Sequence, residues 1–282
     1  MKKILLLFTL LSVTFIFGCG GNETFVIKEI NLEMVKCPAG SFMMGSPEQE
    51  HAKVKEILNI DNFHKDLFKF EYNEKLHLVT FTKPFYIGKY EVTQSQYETL
   101  MGKNPSKFIG ANNPVETVSY DEAKAFCDNL NLKYLNILPK GYKFALPTEA
   151  QWEYACRAGT NVALNNGKNL TTSDGACPNL DEVAWYGKNA SGTTHIVGQK
   201  KPNAWGIYDM HGNVYEWCRD RYGAYPNEDV IDLIGANGGS GRVFRGGSWC
   251  GIALDCRSAN RCGLPVRPCD FLGFRVALVP ID

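Results

Sequence analysis

Three helix starts are spelled out in the first half of the chain, and no helical pattern follows them. Thr93-Gln-Ser-Gln96, Ser119-Tyr-Asp-Glu122 and Thr148-Glu-Ala-Gln151 are capping boxes. In each, the hydroxyl accepts the backbone N–H three residues on, and the Gln or Glu reaches back to the N–H of the cap. They predict helices over 93–100, 119–132 and 148–157. Ala123, Phe126, Cys127 and Leu130 give the second an apolar face, as Trp152, Ala155 and Cys156 do for the third. From about 158 onward Gly and Asn are dense and the helical period vanishes. That half should be loops around a few short strands, including 243–245 and 273–278. Such a chain suits a loop-rich α+β domain better than a repeat or a bundle.

The N-terminus reads as an address. Lys2 and Lys3 precede an apolar run from Ile4 to Phe17, then Gly18-Cys19. A charged start, a short apolar stretch and a small residue before a cut form an export signal over 1–19. The run is too short to span a bilayer. Cys19 after Ile-Phe-Gly has the form of a loosely spelled bacterial lipobox, which makes it the lipidation site; the alternative is an ordinary cleavable signal with an incidental cysteine. A polar tether is expected over 20–33, and the domain over 34–282. The expectation is an exported protein, lipid-anchored to a bacterial membrane, at the outer membrane or cell surface, and monomeric. Nine cysteines follow Cys19. An odd number in an exported chain leaves a thiol unpaired or bridges two molecules. Formal charge is zero and no basic run occurs, so nucleic acid is not an expected partner.

Met34 to Gly45 reads as strand, Pro-Gly turn, strand. Residues 47–76 look like a helical insertion, with Val54, Ile57, Leu58, Phe63, Leu67 and Phe68 on its apolar side; it is a surface helix packed on the domain, or a partner-binding helix. His51, His64 and His77 have no ligand spacing and are taken as solvated. Strands over 76–81 and 85–90 are split by Pro84.

Residues 246–275 are the odd stretch. Gly246-Gly-Ser-Trp249 and Leu272-Gly-Phe-Arg275 bracket an insert, 250–271, with four cysteines and no Lys, Glu, Gln, Met or Trp. A codon ending in a pyrimidine encodes none of those five types. Randomised adenines in AAC or AAT codons would yield the residues that are present.

Cys37-Pro-Ala-Gly-Ser-Phe-Met-Met-Gly, Glu91-Val-Thr, Leu146-Pro-Thr-Glu-Ala-Gln-Trp-Glu-Tyr-Ala, Asp209-Met-His-Gly-Asn-Val-Tyr-Glu-Trp, Arg245-Gly-Gly-Ser-Trp and Leu272-Gly-Phe-Arg resemble the formylglycine-generating enzyme (sulfatase-modifying factor) family, in order across about 34–280. The resemblance implies a C-type-lectin-like fold. It also implies two competing functions. Oxidases of the family hold copper through two thiolates five positions apart, just after the Gly-Gly-Ser-aromatic motif. Here Cys250 stands near the first position, but Cys256 is six residues on and matches a later part of the frame, so the pair is not matched and no catalytic cofactor is expected. The chain also resembles the treponemal variable lipoproteins of diversity-generating retroelements. That resemblance makes 250–271 a variable surface for a ligand, expected to be a protein. The diversified positions would be Cys250, Gly251, Ile252, Leu254, Asp255, Cys262, Gly263, Leu264, Val266, Cys269, Asp270 and Phe271, on a frame of Arg257, Ser258, Ala259, Asn260 and Arg261. Ile252, Leu254, Leu264, Val266 and Phe271 would then form an exposed apolar patch; the alternative is that they are core. A structural Ca²⁺ is expected at Asp209, Gly212, Val214 and Glu216, two carboxylates with intervening carbonyls in a Gly turn. The alternative there is an ordinary turn.

Overall fold

The computed structural model describes residues 13–17, 23–50, 52, 54, 74–235, 238–239, 241–264 and 267–281. Cys19, His51, His64, Val266 and the insertion's Ile57, Leu58, Phe63, Leu67 and Phe68 lie outside them.

Strands β1 (Val13–Phe17), β2 (Glu23–Ile27) and β3 (Leu32–Cys37) run as an antiparallel meander. The tether expected over 20–33 is thus shorter than supposed: from Glu23 the chain is already sheet, with Phe25 and Ile27 buried and Ile30 and Leu32 beside them. A polar beginning, Gly20 to Glu23, hid an apolar continuation. Strand β4 (Gly40–Met44) pairs with β5 (His77–Phe81), and β6 (Phe85–Gly88) follows Pro84 and pairs with β3. The stem of the insertion is helical at 48–50, 52 and 54, with Val54 buried.

Helices α1 (Gln94–Met101), α2 (Tyr120–Tyr134) and α3 (Glu149–Arg157) start where the capping boxes put them. Thr93, Ser119 and Thr148 are the caps, and both reciprocal bonds form in each box. Strand β7 (Tyr142–Ala145) lies between α2 and α3. The second half holds a short α4 (Pro178–Asp181) and strands β8 (Ala184–Trp185), β9 (His211–Gly212), β10 (Tyr215–Arg221), β11 (Val230–Ile231), β12 (Arg242–Arg245), β13 (Arg261–Leu264), β14 (Leu272–Gly273) and β15 (Ala277–Pro280).

The largest sheet has the order β1-β2-β3-β6-β15-β7; β1 falls within the expected export signal, and β2 and β3 bring the start of the domain into the sheet that holds its last strand, β15. Phe126 and Leu130 of α2 pack with Phe25, Met34, Phe144, Phe274 and Leu278. Phe126 lies parallel to Tyr97 with ring centroids 5.7 Å apart. Side chains of this size each contribute about 1.5–3 kcal/mol on burial. A second sheet, β13-β12-β10-β14, carries the unusual segment. No strand was expected at 261–264, where period-2 alternation is missing. The ladder forms because β12 offers an antiparallel edge, pairing Arg245 with Arg261 and Arg242 with Leu264. His77 is a further correction: it is buried against Tyr225, with ring centroids 4.9 Å apart, rather than solvated.

Candidate functional site

The flanks of the segment are fixed by backbone geometry. Gly247 has φ +79°, and a Cβ there would lie 2.5 Å from the Cys256 sulfur. Only glycine gives both the left-handed conformation and that approach. Trp249 Nε1 donates to the Asp270 carbonyl at 3.0 Å, tying the start of the insert to its end. Phe274 is fully buried.

Between these ties the chain alternates between surface and core. Cys250 and Ile252 are exposed, on a turn where Gly251 O accepts from Gly187 N at 2.9 Å. A 3₁₀ turn follows at Ala253–Cys256 and drives Ala253, Leu254 and Cys256 into a cluster with Leu164, Leu170, Leu180 and Tyr186. Arg257, Ser258 and Ala259 are fully buried. Gly251, Asp255, Cys262, Gly263, Cys269, Asp270 and Phe271 are half-buried, and Arg267 and Pro268 are exposed. The side chain of Leu264 lies outside the described residues.

The apolar patch expected from the sequence is therefore corrected. Leu254 is 3% exposed and belongs to the core; Phe271 packs edge-on to Tyr215 at 6.2 Å; of the described members only Ile252, at 40%, is exposed. Local contacts tie the exposed and half-buried positions of the segment together. Cys262, Tyr215 and Phe271 adjoin, and Trp249 joins Cys250 to Asp270. Beside it stands a loop that the sequence did not flag. Phe108 meets the Trp249 ring edge-on at 5.0 Å, Lys107 pairs with Asp270 at 2.5 Å, and Ile109 is 74% exposed.

Buried arginines hold this surface from below. Arg245 donates to the carbonyls of Ser258, Ala259 and Asn260 and pairs with Glu153. Arg257 pairs with Glu50 and Glu74, both at 2.8 Å, and also donates to Ser46 Oγ. Arg261 grips Glu149 through Nε and Nη2, at 2.7 and 2.6 Å. Burial raises the Glu153 carboxyl, but Arg157 and Arg245 outweigh it and hold it below its ordinary range. Arg245 is the main clamp on carbonyls, and Arg257 and Arg261 chiefly bind carboxylates.

The two carboxylates of the expected calcium set have protein partners in this structure. Asp209 and Glu216 are both buried, but Arg275 takes both Glu216 oxygens, at 2.6 and 2.7 Å, and Trp152 Nε1 adds a bond at 2.8 Å. Asp209 accepts from Gly198 N at 2.6 Å. Among the described residues no group of three or more His, Cys, Asp or Glu is placed to hold a metal ion. A structural Ca²⁺ at Asp209, Gly212, Val214 and Glu216 is expected to show as a calcium-dependent rise in Tm of about 5 °C or more, reversed by EGTA; no change on chelation would mean an ordinary turn.

The thiols do not form a close pair. Cys250 is exposed while Cys256 is buried, and burial pushes the Cys256 thiol well above its ordinary range. The nine described cysteines are all free thiols.

Asp220, on β10 beneath the segment, is also perturbed. Burial first, then the charge of Glu149, pushes its carboxyl up to about 7. The folded protein keeps this proton between about pH 4 and 7, where the unfolded chain has released it. The associated stability is full below about pH 4 and falls by up to about 4 kcal/mol as the pH rises to about 7. Asp220→Asn should flatten that slope in urea unfolding measured from pH 4 to 8; an unchanged slope would refute the assignment.

A family description, the sulfatase-modifying factor enzyme 1-like domain, matches residues 26–279. The chain belongs to that family. Among solved structures this family member is similar to Treponema denticola variable protein 1, with TM-score 0.74, 30% identity, and 92% of this chain and 99% of that one covered. It is 34% identical over 209 residues to a protein of Paenibacillus barcinonensis named chaperone protein LppX, covering 58% of this chain and 69% of that protein. It is 24% identical to the mouse formylglycine-generating enzyme, covering 93% of this chain and 72% of the enzyme. The sulfatase-modifying-factor fold is thus a mixed α+β scaffold shared with both a variable protein and enzymes. Fold alone does not choose between them. Among the described residues no helix is long and apolar enough to cross a membrane.

Proposed function

We propose that this family member is a surface-displayed, ligand-binding lipoprotein without catalytic activity, anchored through Cys19, whose 250–271 segment is diversified by a retroelement. The scaffold acts in the manner of a C-type lectin fold, and the ligand is a protein. One observation supports this reading: within a single segment, Cys250 and Ile252 are exposed and Cys262, Cys269, Asp270 and Phe271 half-buried, while Arg257, Ser258, Ala259 and Arg261 between them are buried and bonded. Side chains on such a surface vary without unfolding the frame. Similarity to Treponema denticola variable protein 1 supports the same reading. Leu254 is withdrawn from the diversified set.

Sequencing the neighbouring DNA tests it. A near-copy of codons 250–271 with AAC or AAT at the surface positions, beside a reverse-transcriptase gene, is expected; no such copy would sink the diversification. The rival is a copper oxidase using Cys250. Turnover of a cysteine peptide with copper and oxygen, lost in Cys250→Ser, would replace binding by catalysis.

A further inference from the structure

Beside β13 lies a cleft of about 180 Å³ lined by Glu149, Asp220, Tyr225, Leu233, Gly235 and Arg261, with Ala224 exposed at its rim. Asp220 is 95% buried by its 5% exposure. Its Oδ2 accepts from Glu149 N at 2.8 Å, at the start of α3, and its Oδ1 has no partner. A buried acceptor with no donor is costly, so such an atom points to a missing partner. Gly235 packs closely on the Asp220 side chain, where a Cβ would lie 2.3 Å from Oδ1, so only a residue without a side chain leaves this edge of the cleft unfilled. The neighbouring donors are committed elsewhere. Arg261 uses Nε and Nη2 on Glu149 and Nη1 on the Gly223 carbonyl, and the Tyr225 hydroxyl lies 3.2 Å from Glu149 Oε1.

We infer that this cleft is a binding site for a primary ammonium group on a short alkyl chain, with Asp220 Oδ1 as its acceptor. Glu149 is already paired with Arg261 and Arg245, which leaves Asp220 as the acidic group of the lining without an ion-pair partner among the described residues. Leu233 and the ring of Tyr225 supply apolar wall for the alkyl part. Burial and Glu149 raise the Asp220 carboxyl, and a cation at Oδ1 opposes both. The site is built from residues outside the proposed variable positions, so it stands whether or not 250–271 is diversified.

The test is titration of the full chain with n-butylammonium chloride at pH 8, followed by amide NMR shifts. n-Butanol, which lacks the charge, and tetramethylammonium, which lacks the N–H, serve as controls. Saturable shifts at Asp220, Gly235 and Tyr225 with butylammonium alone are expected. Asp220→Asn should weaken binding at least about tenfold. Ala224→Leu, at the exposed rim, should do the same with Tm unchanged, and carries the test if Asp220→Asn does not fold. No saturable shift would mean that Oδ1 is met by water only and would overturn the site. Equal binding of n-butanol would overturn the assigned chemistry.

Discussion

Arg257→Ala is expected to lower stability by about 3–5 kcal/mol, a fall in Tm of about 6–20 °C for a domain of this size. The guanidinium is fully buried and faces two carboxylates, Glu50 and Glu74, that are themselves buried. Removing it leaves two negative charges in a low-dielectric site with hydroxyl company from Ser46 only in part. The cost comes from the stranded charges rather than from the lost pair, since a buried pair itself is close to break-even. Replacing Glu50 and Glu74 by Gln together with Arg257→Met should therefore recover much of the loss. Thermal unfolding of the single and triple variants checks this. A single variant within about 1 kcal/mol of the parent would show that the frame of the segment does not rest on this network.

Leu254→Ala and Ile252→Ala should behave oppositely although they are two residues apart. Leu254 is 3% exposed within the cluster of Ala253, Leu164, Leu170 and Leu180, and Ile252 is 40% exposed. Truncating the buried leucine removes its transfer energy and leaves a cavity, a loss of about 2–5 kcal/mol. Truncating the exposed isoleucine should change stability by less than about 0.5 kcal/mol. Urea unfolding of both variants measures the difference. Equal losses would mean that 250–252 is core as well, leaving the segment no surface stretch at its start.

The contrast between these two residues also shows where sequence reasoning stopped. Capping boxes are local: Thr93 and Gln96, or Thr148 and Gln151, meet within one turn, so the helices were legible from spacing. The chain order of short family motifs conveyed the α+β scaffold in the same way. Burial within 250–271 was not legible, because the segment follows neither a helical nor a strand period. It passes from a surface turn to a 3₁₀ turn to a frame held by arginines. Those arginines find partners far away in sequence: Arg257 meets Glu50 and Glu74 at the two ends of the insertion, and Arg275 meets Glu216. No spacing rule announces such pairs. Glu216 is the same case: the guanidinium that pairs with it lies 59 residues on. The Phe108 loop was missed because nothing in its own composition marks it; only the fold sets it against Trp249.

The central claim is that one segment combines a fixed frame with a tolerant surface. Two displayed libraries test it most directly. One randomises Cys250, Ile252, Asp255, Cys262, Cys269, Asp270 and Phe271, leaving Gly263, where a Cβ would lie 2.2 Å from the Tyr222 ring, unchanged; the other randomises Arg257, Ser258, Ala259 and Arg261. Display level reports folding, and selection against an unrelated protein target reports binding. The first library is expected to remain largely folded and to yield binders, and the second to lose display in nearly every clone. Loss of display in the first library, or retention in the second, would contradict the account.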